Sequence, residues 1–313
     1  MTRRPGVVSV GVLTYESEAV VGAALASLAA QDCDPEDLEV IVVDNGSTDD
    51  SLARARAALP GATFVEVGTN EGYSRGMNRA YASSTGELFV PMNADAVLAA
   101  DFVRVALDAM TTHPVAATIA PLVVRIEPGE RAADLDVGAR EIDGARLAIG
   151  WDMRVRVDRR NLAPGWTQKA NGACPVLRAT ALDEMIARHG VGPFDPVFDT
   201  FGEDVDLALK LEAAGWGCWF EPRLRAGHVR SHSSAPNALD RDRRLRRASL
   251  AARHRNALRH RHPLARAVAE VGILAEDAAA MVARRLQGDR TIGSDVTAAI
   301  GTVASERWRS RHG

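Results

Sequence analysis

The chain has 313 residues, of which 46% are hydrophobic and 5% are aromatic, and its formal net charge is −3. This composition indicates a soluble globular protein of one large or two small domains, and no stretch holds the ~18 uncharged apolar residues of a membrane span. The charge is uneven, because residues 1–240 carry 22 Lys and Arg against 34 Asp and Glu, whereas residues 241–313 carry 16 against 7.

The first part of the chain alternates predicted strands and helices. Residues 7–13 and 38–43 are continuous apolar strands, and two more strands are predicted at 63–67 and 88–92, with a helix from about 101. Continuous apolar strands that alternate with helices indicate a parallel sheet covered on both faces. Ligands of such sheets bind beyond the carboxyl ends of the strands.

Polar residues are predicted to cap the first helices. Ser17 is expected to cap the helix after the first strand, and Ser47 or Thr48 the helix after the second. Asp49 and Asp50 are then expected in the first turn of that second helix, where the helix dipole favours acids.

The second part of the chain is less regular. Residues 125–170 lack periodicity, which predicts loops and edge strands around a second substrate. A helix is predicted from 240 to Pro263 and another over 264–286. The run 241–266 holds ten arginines and one acid, Asp242. Three interpretations stay open for it: a solvated helix face, contact with an anionic lipid or prenyl diphosphate, and nucleic-acid binding, which the acidic remainder of the chain disfavours.

Asp44 is the first candidate functional residue, since it ends an apolar strand before Asn45 and Gly46. A carboxylate there can accept hydrogen bonds from a base or a ribose, or it can form an Asx turn into the next helix. The preceding loop, LTYESEAV, lacks G-x-G-x-x-G, which argues against a nicotinamide or flavin fold. Tyr15 in this loop can stack on a pyrimidine or pack against the protein.

The segment NEGYSRGMNRA, residues 70–80, places glycines around a predicted helix start. Gly72 and Gly76 permit close approach of a ligand, and a helix N-terminus favours phosphate. Arg75 can contact a diphosphate. The alternative is a glycine-containing loop before an amphipathic helix.

Asp95 follows the apolar strand in LFVPMNADA, and it is a candidate ligand of a divalent cation or a helix cap. Glu203 and Asp204 begin a helix in FGEDVDLALKLEAAGW, where acids stabilise the helix dipole. Two adjacent acids with Asp206 nearby exceed what capping needs, so a carboxylate acting as a general base is the second interpretation. His228 is preferred over His232 as a neutral metal ligand, although surface histidines are common.

These motifs occur in the order that is typical of glycosyltransferase family 2, the inverting nucleotide-sugar enzymes of the GT-A fold. From about Val7 to about Ser234 the chain resembles that family, and most of all its bacterial rhamnosyltransferase-type members. Two positions depart from its pattern: Glu16 stands where Asn is usual, and Ala94 replaces Pro. The motifs read VSVGVLTYE, VVDNGSTD, NEGYSRGMN, NAD, GACPVLRATAL and EDVDLALKLEAAGW.

The resemblance implies an α/β fold: a GT-A, Rossmann-like, mostly parallel sheet flanked by helices in residues 1–238, and a basic helical extension in 239–313. It implies Asp204 as the base that deprotonates an acceptor hydroxyl, with Glu203 supporting it. Asp95, joined by His228, is expected to bind Mg²⁺ or Mn²⁺. The expected donor-binding residues are Thr14, Tyr15, Glu16, Asp44, Asn45, Gly72, Arg75, Gly76, Asn78 and Asn93.

The expected function is metal-dependent inverting transfer of a sugar, with rhamnose a candidate, from a nucleoside-diphosphate sugar to a hydroxyl of a lipid-linked saccharide, a polysaccharide or a natural product. A sugar-1-phosphate nucleotidyltransferase and a non-catalytic sugar-nucleotide-binding protein are the alternatives. Free thiols at Cys33, Cys174 and Cys218 suit a cytoplasmic protein. Peripheral contact with the inner face of the membrane through 241–266 and a homodimer are further expectations.

Overall fold

The structure is a computed structural model that describes residues 2–130, 135, 138, 140–198, 200–229, 238–286 and 291–312. The strands are β1 Arg4–Thr14, β2 Leu38–Asp44, β3 Thr63–Glu66, β4 Gly86–Asn93, β5 Ala96–Leu98, β6 Ala116–Arg125, β7 Ile142–Gly144, β8 Arg146–Ile149, β9 Val155–Asp158, β10 Gly165–Thr167, β11 Val176–Arg178 and β12 Gly217–His228. The helices are α1 Val21–Ala29, α2 Ser51–Ala58, α3 Tyr73–Ser83, α4 Phe102–Thr112, α5 Ala179–His189, α6 Glu203–Ala213, α7 Ala238–His260, α8 Pro263–Leu286 and α9 Ile292–His312.

One mixed sheet forms the centre of the molecule, in the order β10-β12-β6-β11-β4-β1-β2-β3. The long pairs β1–β2, β1–β4, β2–β3 and β6–β12 are parallel, whereas β11 is antiparallel to both of its neighbours. The predicted α/β fold of strands flanked by helices is confirmed, with antiparallel strands inserted in its second half. The apolar runs of β1, β2 and β4 are buried, as continuous β-branched sequences in a two-sided sheet require.

The first two helices begin later than the sequence predicts. Helix α1 begins at Val21 without a side-chain cap, because the hydroxyl of Ser17 donates to the carbonyl of Tyr15 instead. Helix α2 begins at Ser51, so Asp49 and Asp50 precede it. The predicted caps were wrong because the polar residues of both loops bind each other across the carboxyl ends of β1 and β2.

Helices α7 and α8 form where the sequence predicts, and α9 follows them. Six arginines of the basic run form ion pairs with acids of the protein, whereas Arg244 and Arg259 are exposed, so the run is neither wholly buried nor a face without partners. The ion pairs join Arg243, Arg246 and Arg247 to Asp295, Arg253 to Glu276 and Asp277, Arg255 to Glu306, and Arg259 to Asp195. Among the described helices, none has both the length and the apolar character that crossing a bilayer requires.

Candidate active site

The carboxyl ends of β1, β2 and β4 lie side by side and carry three of the predicted residues. Thr14 pairs in register with Asp44 of β2, and Leu13 pairs with Asn93 of β4. Asp95 follows β4 directly, and His228 ends β12 at the same edge of the sheet. The fold therefore collects residues from four distant parts of the sequence along one edge.

Two buried polar atoms at the ends of β1 and β2 have no hydrogen-bond partner among the residues that the structure describes. These are Oγ1 of Thr14, which is fully buried, and Oδ1 of Asp44, which is 5% exposed as a residue. The other oxygen of Asp44 accepts the amide of Ser47 at 3.2 Å. Because an unpaired buried polar group costs stability, these atoms are suited to hydrogen bonds with a ligand.

The loop after β1 lies beside these atoms. Tyr15 is 38% exposed, so its ring is available to stack on a ligand. Glu16 adopts a positive φ of 48°, and its carboxylate accepts the amide of Thr48 at 2.8 Å and its hydroxyl at 3.0 Å. Glu16 thus ties the loop after β1 to the loop after β2.

Two predicted donor-binding amides support loops with their side chains. Asn45 is buried; it donates to Asn70 and to the carbonyl of Gly72, and its Oδ1 accepts the amide of Glu71. Asn78 makes two hydrogen bonds to the backbone of Phe194, which lies ahead of α6. These contacts hold the walls of the candidate site. They also occupy the side-chain amides of Asn45 and Asn78, which a sugar-nucleotide donor would otherwise contact.

The remaining residues of the 70–80 segment differ in role. Gly72 has a φ of 83° and precedes α3, a conformation that suits glycine. Gly76 is a packing residue, because a Cβ there would lie 2.5 Å from Cδ1 of Leu13 in β1. Arg75 is exposed on the first turn of α3.

At the other end of the edge, an imidazole lies between two carboxylates. Nε2 of His228 is 3.2 Å from Oδ1 of Asp95, and Nδ1 is 2.9 Å from Oδ2 of Asp143. Burial alone would lower the pKa of His228, but the hydrogen bonds to Asp143 and Asp95 outweigh burial and raise it to about 9. Asn171 in turn donates to Asp143.

This arrangement fits a divalent cation held by few protein ligands. A carboxylate that fixes Nδ1 of a histidine leaves Nε2 to a metal, and a hard cation completes its shell with phosphate oxygens. In the described parts of the chain, no cluster of three or more His, Cys, Asp or Glu side chains forms a complete site. Asp95 and His228 can therefore hold Mg²⁺ or Mn²⁺ only together with further ligands from a substrate or water.

Glu203 and Asp204 occupy the first turn of α6 in different environments. Asp204 is 29% exposed, and its Oδ2 binds the ammonium of Lys169, which is only 4% exposed. Glu203 is buried, and its Oε2 has no hydrogen-bond partner in the part of the chain that the structure describes. Burial, followed by the charge of Asp204, raises the pKa of Glu203 to about 8, so Glu203 is mainly protonated at neutral pH.

The short segment 169–173 connects the carboxylate pair to the histidine. Its first residue, Lys169, binds Asp204, and Asn171 binds Asp143, the partner of His228. A Cβ on Gly172 would lie 3.3 Å from Oδ2 of Asp204, and the carbonyl of Ala173 accepts the amide of Asn93. Lys169 and Asn171 therefore connect Asp204 and the Asp143–His228 pair to one short segment.

Helix α7 holds the start of α6. Asn256 donates to the carbonyl of Gly202 at 3.1 Å, and His260 lies 2.7 Å from Asp206, which is fully buried. Gly202 has a φ of 88°, and a Cβ there would lie 2.5 Å from that of Ala252. The C-terminal helices thus pack directly on the helix that carries Glu203 and Asp204.

A cavity of about 240 Å³ opens beside Asp204. Its lining is mainly apolar and includes Leu177, Leu207, Trp166 and Trp216, and its charged residues are Lys169, Asp204 and Glu212. Such a cavity suits a ligand with a polar reacting group and an apolar body.

Sequence reasoning missed Asp143, Lys169 and Asn171. Lys169 and Asn171 lie just before the quoted motif that begins at Gly172, which was the available signal. Asp143 lies in the stretch without periodicity, so nothing in its neighbourhood pointed to it.

Known proteins of one enzyme class are similar in sequence to this chain. The family model of glycosyl transferase family 2 matches residues 9–180, more than half of the chain. An N-acetylglucosaminyl-diphospho-decaprenol L-rhamnosyltransferase of Mycobacterium tuberculosis is 26% identical over 249 residues, which cover 73% of this chain and 78% of the relative. An N-acetylglucosaminyltransferase of Bradyrhizobium diazoefficiens is 26% identical over 68% of this chain and 42% of its own length.

Solved structures share the fold. A mannosyltransferase from Pyrobaculum calidifontis, in complex with GDP-Man and Mn²⁺, superposes with a TM-score of 0.58 at 19% identity, over 95% of this chain and 86% of its own. GalNAc-T7, solved with UDP, GalNAc and Mn²⁺, has a TM-score of 0.58 at 16% identity. That match covers 74% of this chain but only 44% of GalNAc-T7.

Proposed function

The chain belongs to glycosyl transferase family 2 and is a glycosyltransferase, and on that basis we propose that it is metal-dependent and inverting. It moves a sugar, with rhamnose as the first candidate, from a nucleoside diphosphate to an acceptor hydroxyl. The observation that supports this proposal is the segment 169–173, in which Lys169 binds Asp204 and Asn171 binds Asp143, the partner of His228.

The unpartnered atoms of Thr14 and Asp44 support a place for the nucleotide. In this proposal they receive the polar edge of the base, and Tyr15 covers its face. Asn93 ends β4, the strand that precedes Asp95, and in this proposal it faces the ribose or the diphosphate. The donor then extends along the edge of the sheet from the base toward the metal ligands.

Asp95 and His228 would hold the cation, and Asp143 orients His228. The cation would supply positive charge beside the departing diphosphate, a contribution of several kcal/mol in metal-assisted reactions. Mn²⁺ is present in two of the structures that share this fold. Nε2 of His228 would have to lose its proton to serve as a ligand.

Asp204 accepts the proton of the acceptor hydroxyl. The hydroxyl oxygen forms a bond to the anomeric carbon as the bond from that carbon to the diphosphate oxygen breaks on the opposite face. The configuration is therefore inverted, and the diphosphate departs with the electron pair. Glu203, which its raised pKa keeps protonated at neutral pH, adds no second negative charge beside the base.

The cavity beside Asp204 is our proposed location for the acceptor. A lipid-linked saccharide is the first candidate, since the relative from Mycobacterium tuberculosis is named for an acceptor on decaprenyl diphosphate. A polysaccharide and a small natural product are the other candidates. Apolar walls suit the less polar faces of a sugar ring or the start of a lipid.

The test is sugar transfer from a panel of nucleotide sugars, including dTDP-rhamnose, UDP and GDP sugars, with Mn²⁺ and with EDTA. Asp204→Asn should abolish transfer while leaving nucleotide binding near that of the wild type. Asp34→Asn, an exposed aspartate in a surface loop, is the matched control and should transfer normally. Wild-type turnover by Asp204→Asn, or full activity in EDTA, would contradict the proposal.

A further inference from the structure

Helix α8 has a continuous apolar surface that faces solvent. Every residue of α8 that is described as exposed is Ala, Val or Leu, and Val268, Val271, Val282 and Leu286 are between 56% and 84% exposed. The exposed positions are Ala265, Val268, Val271, Leu274, Ala275, Ala278, Ala279, Val282, Ala283 and Leu286. They recur at spacings of three and four residues, which places them along one side of the helix.

The opposite side of α8 packs against the rest of the protein. Ile273 and Ala269 are buried in a cluster with Val205 of α6 and Met153. Asp277 is 2% exposed and binds Arg253 and His254 of α7. The apolar surface thus belongs to a helix that packs on the rest of the protein, and its exposed residues lie next to one another instead of being scattered.

An exposed indole lies beside this surface. Trp151, in the hairpin turn between β8 and β9, is 53% exposed and lies against Gly272, where a Cβ would be 2.1 Å from its ring. Val155 of β9 is 38% exposed. Tryptophan is enriched where protein meets the interfacial region of a bilayer.

Near Trp151, the cationic side chains are more exposed than the acidic ones. Arg154 and Arg156 are 48% and 55% exposed, whereas Asp152, which pairs with both, is fully buried. Glu276, which pairs with Arg154, is 29% exposed. The solvent therefore meets cations more than acids beside the apolar face, an arrangement that complements an anionic surface.

We propose that the exposed face of α8, with Trp151 and the two arginines, binds the surface of an anionic membrane. The helix lies flat, with its apolar side at the boundary between headgroups and acyl chains. This moves the expected membrane contact from residues 241–266 to α8. The Asp277–Arg253 ion pair joins α8 to α7, and the hydrogen bond from Asn256 to Gly202 joins α7 to the start of α6. Membrane contact through α8 would therefore place the candidate active site at a fixed height above the bilayer.

The test is flotation of the purified full-length protein with vesicles of phosphatidylcholine and phosphatidylglycerol in equal amounts, and with vesicles of phosphatidylcholine alone. The wild type should float with the anionic vesicles, and its tryptophan emission should shift to the blue in a way that Trp151→Phe removes. The triple variant Val268→Asp, Val271→Asp, Val282→Asp should lose binding by at least about tenfold, since each charge opposes insertion.

The matched control is Val115→Asp, at a valine that is 57% exposed in the loop before β6. It should bind vesicles as the wild type does. The replaced α8 side chains are on the surface, so an unchanged melting temperature and circular dichroism spectrum establish that the triple variant folds.

Three results would overturn the proposal. The wild type would fail to float with anionic vesicles, or the triple variant would float as well as the wild type. The third result would be a wild type that is a dimer and does not bind vesicles, together with a triple variant that is a monomer. That result would mean that the exposed face of α8 binds a second copy of the chain. Nucleotide binding and transfer to a water-soluble acceptor test the proposed function separately, since neither requires a membrane.

Discussion

The ammonium of Lys169 lies against Oδ2 of Asp204, 35 residues further along the chain, and both groups line the same cavity. The other acids of this helix turn show why the contact is selective. Asp206 contacts Lys210 and His260, whereas Oε2 of Glu203 has no hydrogen-bond partner among the described residues, and the raised pKa of Glu203 keeps it protonated at neutral pH. Lys169 therefore places a cation against Asp204, the acid of the pair that lines the cavity.

Replacement of Lys169 should slow transfer. Lys169→Met removes the cation that contacts Asp204 in the cavity, so transfer at neutral pH should fall by at least about tenfold. Lys169→Arg keeps the charge and should retain more activity. Measurements of kcat and kcat/KM give the effect. Lys210→Met is the control, since its ammonium binds Asp206; an equal loss of activity there would refute the assignment to Lys169.

Asp143 is expected to control metal affinity without contacting the metal. Asp143→Asn weakens the hydrogen bond that orients Nδ1 of His228, so the affinity for Mn²⁺ should fall about 10- to 100-fold. The measurement is a titration of Mn²⁺ in the presence of nucleoside diphosphate, followed by calorimetry or electron paramagnetic resonance. Asp34→Asn should leave the affinity unchanged. A normal Mn²⁺ affinity in Asp143→Asn would remove the metal role of His228.

Glu203 should make the protein less stable as pH rises. Its pKa in the fold is about 8, against an ordinary value of 4.5, so the folded state binds more protons than the unfolded state between these values. The contribution is fully present below about pH 4.5 and is lost as pH rises through about 8. Urea unfolding across this range should show a steeper loss of stability for the wild type than for Glu203→Gln. Parallel curves would contradict a protonated Glu203.

Gly202 should be intolerant of a side chain. Its φ of 88° disfavours other residues, and a Cβ would lie 2.5 Å from that of Ala252 in α7. Gly202→Ala should lower the free energy of unfolding by about 2 kcal/mol or more, because strain and a clash with α7 act together. Gly61→Ala, with open space around its Cβ position, is the control and should change stability little. Urea unfolding measures both variants, and equal stability would show that α7 adjusts freely.

The sequence alone determined the α/β class and the strands that carry the site. Continuous apolar runs end at Asp44 and just before Asp95. The hydrophobic pattern and the turn residues that follow it were therefore sufficient to place these acids at strand ends. The motif order was sufficient for the family, which the match over 9–180 confirms. A strand end depends on neighbouring residues, and the order of the motifs depends on their positions along the chain. Both can be observed in the sequence alone.

Only the tertiary structure decided which side chains are partners. Asp143 meets His228 across 85 residues, and Lys169 meets Asp204 across 35, because strands from the irregular middle of the chain pair beside β6 and β12. The sequence left three interpretations open for the basic run, and only the structure shows that its arginines pair with Asp295 and Glu306 of α9. Pairing across long loops depends on packing and burial, which hydrophobic periodicity does not encode.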